Sequence, residues 1–102
     1  MTNDLMEDRQ EYLETLERKI DEWSARVEAL EGLAADADPV AKADVEEGID
    51  ELWRRLEQAR EAHGHLAQAD DTGWARCRST LDQTWSEVED AYRDLQRTLK
   101  NY

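Results

Sequence analysis

Apolar residues recur at alternating steps of three and four through three successive stretches of this chain. The first stretch runs from Met6 to Ala34, the second from Val45 to Leu66 and the third from Trp74 to Tyr102. This spacing places apolar side chains in one stripe along a helix, and the stripe must be buried against another helix to be stable in water. The sequence therefore predicts an all-α protein made of three amphipathic helices.

Proline and acidic residues mark the boundaries between these stretches. Pro39 cannot continue a helix because it lacks a backbone N–H donor, whereas Asp38 followed by Pro39 is a favourable helix start. Asp71 or Thr72 is expected to cap the third helix. We predict one domain over residues 1–102, with helices at about 4–36, 39–69 and 72–101. Similar lengths and short connections favour an antiparallel up-down-up three-helix bundle with coiled-coil-like packing.

Aligning the helices about the two connections predicts which residues lie at the same height. Residue i of the first helix is expected level with residue 75 minus i of the second helix and residue 65 plus i of the third, to within about one helical turn. The same alignment predicts two central layers. One contains Trp23, Leu52 and Val88, and the next contains Ile20, Leu56 and Trp85. Trp53 is expected at the same height, beside the apolar stripe. Tryptophans that converge at mid-bundle are expected to form core, in preference to a ligand pocket.

The charge of the chain restricts its partners. The formal net charge is -13, and 38% of the residues are charged. Such a surface repels the phosphates of nucleic acid and the headgroups of anionic membranes, so we expect neither as a partner. The acidity is uneven, because residues 71–102 carry six acids and five bases, whereas residues 1–35 and 36–70 each carry ten acids and four bases.

Several features predict a cytoplasmic location. The N-terminal residues MTNDLMEDRQE are acidic and lack the basic and apolar regions of a signal peptide. The chain has one cysteine, which cannot form an internal disulfide and therefore fits a reducing compartment. No apolar stretch approaches the ~20 residues that a membrane-spanning helix needs.

Four polar residues interrupt the predicted apolar stripes: Arg9, Lys42, His63 and Arg78. Arg9, His63 and Arg78 are expected at the same end of the bundle as Trp74. One interpretation is a site for an anion or a peptide, with the arginines as donors and Trp74 as a platform. The alternative, which we favour, is a polar layer that sets the register and orientation of the helices.

Residues with reactive or metal-binding side chains form no recognisable motif. His63 and His65 are two residues apart and so face different directions on a helix, while Glu61 and His65 alone would not make a metal site. Cys77 has two flanking arginines that would lower its pKa if it were exposed, but we expect a small buried residue. The sequence therefore predicts no metal, no cofactor and no enzymatic activity.

The spacing of the apolar residues and tryptophans resembles that of short bacterial coiled-coil proteins labelled stress-induced, best known from cyanobacteria. The motifs that carry this resemblance are Leu16-x3-Ile20-Asp21-Glu22-Trp23-x3-Val27-x2-Leu30, Ile49-x2-Leu52, Ala69-Asp70-Asp71-x2-Trp74 and Asp82-x2-Trp85-x2-Val88-x2-Ala91. Where those proteins often carry lysine, this chain has Arg76, Cys77 and Arg78. The resemblance implies a soluble cytoplasmic helical protein without catalytic residues, so it transfers no site.

Together these features predict a non-enzymatic helical interaction protein, with a link to stress that the resemblance implies. It would bind protein partners, or itself as a weak homodimer, through its helix faces. Apolar residues beside the main stripes widen the surface available for such contacts: Leu5, Tyr12, Leu33 and Trp53. The alternative is a carrier of an apolar ligand or lipid, which would bind by opening the amphipathic bundle.

Overall fold

Three helices connected by short turns make up the structure, a computed structural model that describes the backbone of residues 2–101 and the side chains of residues 8–100. The helices are α1 (Thr2–Ala35), α2 (Pro39–Leu66) and α3 (Asp71–Asn101), with no strand between residues 2 and 101. They form a rod with extents of 57 × 19 × 17 Å. The predicted all-α three-helix bundle is confirmed. Leu5, Met6 and Tyr102 lie outside the described side chains.

The starts of α2 and α3 differ in how they are capped. Asp38 precedes α2 as predicted, and its carbonyl accepts from Lys42 N at 2.8 Å, but its side chain makes no capping hydrogen bond. The prediction that Asp71 or Thr72 caps α3 is wrong, because α3 already begins at Asp71. Asp70 is the cap, since its Oδ1 accepts from Gly73 N at 2.8 Å and so pairs a donor that the first turn leaves free.

The end of α2 comes three residues earlier than predicted, at Leu66 instead of Ala69. Beyond Leu66 the turn is tighter, because backbone hydrogen bonds span three residues where an α-helix spans four. They run from Gln68 N to His65 O at 3.2 Å and from Ala69 N to Leu66 O at 3.3 Å. This tightening is common at helix ends. Ala69 lies beyond the end of α2, and Arg9 Nη1 on α1 donates to its carbonyl at 3.4 Å.

The core is one cluster with contributions from all three helices. All residues of the two predicted central layers are buried: Ile20, Trp23, Leu52, Leu56, Trp85 and Val88. Trp53 is half-buried at the edge of this cluster. The prediction that Lys42 belongs to the stripe of α2 is wrong, because Ala41 is buried there and Lys42 is exposed. Ala41 precedes Val45 by four residues, so the helical spacing is preserved with an alanine.

The three helix pairs are packed unequally. The backbone of α2 approaches both α1 and α3 along much of its length, whereas α1 and α3 approach each other at few positions. Gly48 allows the close approach of α2 to α3, since a Cβ atom there would overlap the side chain of Leu95. Large rings instead span from α1 to α3, as in the edge-to-face pair of Trp23 and Tyr92, whose centroids are 5.2 Å apart. We call this aromatic interface the α1–α3 seam.

Two side-chain contacts between α1 and α2 join residues at different heights of the predicted register. Arg60 Nη2 donates to Ser24 Oγ at 3.3 Å, and Trp53 Nε1 donates to Glu31. Side chains lean towards the N-terminus of their own helix, so in an antiparallel pair two long side chains meet well away from the residues whose backbones are level.

Candidate interaction site

Three of the four predicted site residues lie together at one end of the α1–α3 seam, joined by Tyr12. The guanidinium of Arg9 lies 4.9 Å from the centroid of Trp74, and that of Arg78 lies 4.5 Å from the centroid of Tyr12. The rings of Tyr12 and Trp74 form an edge-to-face pair with centroids 5.6 Å apart. We call Arg9, Tyr12, Trp74 and Arg78 the end cluster, in which cations and aromatic faces alternate.

The polar groups of Arg9 are already paired within the protein. Its guanidinium forms an ion pair with Asp71 and donates to Ala69 O, and its side chain is 24% exposed. These contacts connect α1 to the turn between α2 and α3. The geometry therefore favours the interpretation of Arg9 as part of a polar layer that fixes helix register, because its positive charge is balanced by Asp71.

His63 is not part of this cluster. It lies on the other side of the bundle, in a groove of about 220 Å³ between α1 and α2 whose lining includes Glu17, Asp21 and Arg60. The structure therefore places the side chain of His63 apart from those of Arg9 and Arg78, in a groove with Glu17 and Asp21 of α1.

Tyr12 is the member of the end cluster that sequence reasoning missed as a site residue. Burial raises the pKa of its phenol above the ordinary value, and the nearby Arg78 opposes this shift through a hydrogen bond and its charge. The phenol is therefore neutral at physiological pH. In this form it can donate a hydrogen bond but does not act as a base.

Two further cations cover the central tryptophans of the seam. Lys19 Nζ lies 4.7 Å from the centroid of Trp85, and the guanidinium of Arg26 lies 4.7 Å from that of Trp23. A groove of about 480 Å³ beside them is lined in part by Arg18 and Glu89. We call it the central groove. The spacing of Lys19, Trp23 and Arg26 by four and three residues was the sequence signal for this arrangement.

A larger groove of about 850 Å³ opens at the other end of the seam, between the C-terminal parts of α1 and α3. We call it the terminal groove. Leu30, Leu33, Tyr92 and Leu99 contribute its apolar lining. Leu33 is 63% exposed, and Val40 just beyond the turn is 71% exposed. This end of the bundle therefore presents apolar surface to solvent, while the middle is filled by core residues.

The two edges of the terminal groove carry opposite charges. Asp36 and Asp38 lie on the edge formed by the end of α1 and the following turn, and three bases line the α3 edge: Arg93, Arg97 and Lys100. Arg93 and Arg97 pair along their own helix with Asp90 at 3.7 Å and Asp94 at 4.0 Å. Such exposed pairs contribute little, so these arginines can exchange partners at small cost.

Cys77 lies between α2 and α3, half-buried, with its Sγ donating to Ala62 O at 3.5 Å. Burial raises the pKa of its thiol above the ordinary value. Cys77 thus packs against the core but is only half-buried, where the sequence predicted a buried residue, and a thiol activated by its two flanking arginines is not supported. A raised pKa keeps the sulfur in its less nucleophilic thiol form.

The described residues hold no group of three or more His, Cys, Asp or Glu side chains placed to bind a metal. Within the described part of the chain, no helix combines the length and apolar character needed to cross a membrane. Comparison of the chain with protein-family models, curated proteins and solved structures found no match. The resemblance to stress-induced coiled-coil proteins therefore stays a prediction.

Proposed function

We propose that this chain is a non-enzymatic helical interaction protein, which binds protein partners or a second copy of itself along the α1–α3 seam. The observation that carries this proposal is the unequal packing of the bundle. Close backbone packing joins α2 to both neighbours, whereas the seam leaves the central and terminal grooves open. A further amphipathic helix is the natural occupant of a groove between two parallel helices.

The charge distribution supports a protein partner. Many bases of this acidic chain lie along the seam: Arg18, Lys19, Arg26, Arg78, Arg93, Arg97 and Lys100. Their positive charge interrupts the acidic surface on the face that also carries exposed apolar groups. A partner with apolar anchors and acidic flanking residues would complement this face.

The test is capture of partners by the purified intact chain from stressed and unstressed cells, with lipid analysis of the same eluates. Leu33→Asp places a charge in the terminal groove, and Ala43→Asp places the same charge on the exposed face of α2 as the matched control. We expect a protein in stoichiometric amount with the wild type and Ala43→Asp, and its loss with Leu33→Asp. Enrichment after stress would support the stress link.

Stoichiometric lipid without protein in the eluate would overturn this proposal and favour the carrier function. Retention of the same partner by Leu33→Asp and its loss from Ala43→Asp would instead place the binding face on α2. Both variants change exposed positions, so helical content and urea midpoint should match those of the wild type closely.

A further inference from the structure

We propose that the terminal groove is the interface of a homodimer with parallel bundles, in which the end of α1 of each copy packs alongside the end of α3 of the other. This inference rests on the proposed function and names the partner as a second copy of this chain. It is drawn from the exposed apolar residues at this end of the bundle and from the arrangement of charge around them.

The apolar part of the argument concerns Leu33 and Val40. Among the described side chains they are the large hydrophobic residues classed as exposed, at 63% and 71%, and both lie at the same end of the rod. Single exposed apolar residues are ordinary, but Leu33 lines an open groove together with the apolar side chains of Leu30 and Leu99. Leu33 of one copy can enter the groove between Tyr92 and Leu99 of the other.

The charges on the two groove edges make this surface complementary to itself. The α1 edge ends in Asp36 and Asp38, and the α3 edge carries Arg93, Arg97 and Lys100. In a two-fold dimer every contact across the interface is made twice, because residue i of one copy contacts residue j of the other and the reverse. The acidic edge of each copy can therefore pair with the basic edge of its partner, which gives two such pairings in the dimer.

Charge also selects the direction of the two-fold axis. An axis parallel to the helices places the α1 edge of one copy over the α3 edge of the other, so that opposite charges meet. A two-fold axis in the plane of the interface and perpendicular to the helices would instead bring the two acidic edges together and the two basic edges together. Such like-charge contacts are unfavourable. The two bundles are therefore aligned side by side, with their α1–α2 turns at the same end.

A fatty-acid-like anion is the competing occupant, because the groove is apolar and bordered by arginine. Its carboxylate would meet the bases of the α3 edge. However, Asp90 and Asp94 accompany Arg93 and Arg97 on α3, and two further aspartates form the opposite edge. This mixture of charges fits a partner of mixed charge better than a ligand with one negative group.

The test uses two charge-reversed variants of the full chain. Asp36→Arg with Asp38→Arg makes both groove edges basic, whereas Arg93→Glu with Arg97→Glu makes both acidic. We expect sedimentation equilibrium of the wild type, at concentrations up to about 1 mM, to show a reversible dimer. Each variant alone should have a dimer affinity at least about tenfold lower than that of the wild type. An equimolar mixture of the two should recover the dimer as a heterodimer.

Matched controls carry the same changes in charge on exposed residues of other faces. They are Asp44→Arg with Asp50→Arg, and Arg54→Glu with Arg76→Glu, and both should dimerise as the wild type does. Recovery in the mixture also shows that the groove variants fold, and circular dichroism gives a second check. Small-angle X-ray scattering reports the axis, because an aligned dimer keeps a length near the 57 Å of one bundle.

A wild-type chain that stays monomeric throughout this range would overturn the inference, as would a mixture that does not associate. A dimer much longer than one bundle would also overturn it, since the copies would then extend in opposite directions. These measurements use the purified chain alone. A monomer that still captures another protein through Leu33 would contradict this inference and leave the proposed function supported.

Discussion

Gly48 lies so close to Leu95 that a Cβ atom at position 48 would overlap Leu95 Cδ2 and come within 3.0 Å of its Cγ. Leu95 is itself buried in the core. The interface between α2 and α3 thus depends on the absence of a side chain at one position. This relationship explains why a glycine occupies the interior of a helix, where it otherwise costs stability relative to alanine.

We expect Gly48→Ala to destabilise the protein by about 1–3 kcal/mol, because overpacking at Leu95 outweighs the better helix propensity of alanine. Gly32 and Gly64 also lie in helices, but a Cβ atom at either position meets nothing within 4 Å. Alanine at those two positions should therefore be neutral or stabilise by up to about 1 kcal/mol. Urea denaturation of the three variants measures the contrast, and equal midpoints would contradict it.

The central tryptophans should contribute much more to stability than Trp74. Trp23 and Trp85 are each 6% exposed, whereas Trp74 is half-buried in the end cluster. Replacement of either central residue by alanine should cost about 3–5 kcal/mol, because it removes a large ring from the core. Trp74→Ala should cost clearly less. Urea midpoints decide the order, and near-neutral central variants would indicate that the seam is a binding pocket.

The cap of α3 gives a prediction at two adjacent aspartates. Asp70→Ala removes the hydrogen bond to Gly73 N and should destabilise the protein by about 1 kcal/mol. Asp71→Ala removes an ion pair with Arg9 from a side chain that is 86% exposed, and should cost less than about 0.5 kcal/mol. Thermal unfolding of the two variants side by side tests this order. A larger loss of stability for Asp71→Ala than for Asp70→Ala would contradict the assignment of Asp70 as the cap.

The thiol of Cys77 should react slowly in the folded protein. Because burial raises its pKa, the folded state holds the proton more tightly than the unfolded state does. Alkylation at pH 8 should therefore be slower in native buffer than in urea. The same shift predicts stability that is complete below the unfolded pKa and declines as the pH rises towards the folded one. Cys77→Ala should reduce this alkaline decline; an identical pH profile would exclude the thiol as its source.

The sequence predicted the helices and most of the core because hydrophobic periodicity directly encodes which face of a helix is buried. Trp23, Leu52 and Trp85 follow from this pattern alone. The choice of Ala41 over Lys42 did not follow, since a small residue carries a weak hydrophobic signal. Gly48 was missed for a related reason, because the close approach that requires glycine depends on Leu95 of another helix.

Two parts of the candidate site were beyond reach from the sequence. The groove that holds His63 depends on how the side chains of α1 and α2 meet, and turn positions alone do not show where a long side chain such as Arg60 ends. The terminal groove arises from the separation of α1 and α3, which no local pattern reports. The bases along its edge did leave a signal, as Arg93, Arg97 and Lys100 recur at helical spacing.

The unequal packing of the three helices has a consequence for how the native state fluctuates. Since α2 contacts both neighbours closely, it acts as the spine of the molecule, and separation of α1 from α3 breaks the fewest backbone contacts. We expect α2 amides to exchange with solvent deuterium most slowly, and partial opening to begin at the aromatic seam. The same opening would expose Trp23 and Trp85 to water. Native-state hydrogen exchange and tryptophan fluorescence emission should therefore report the same motion.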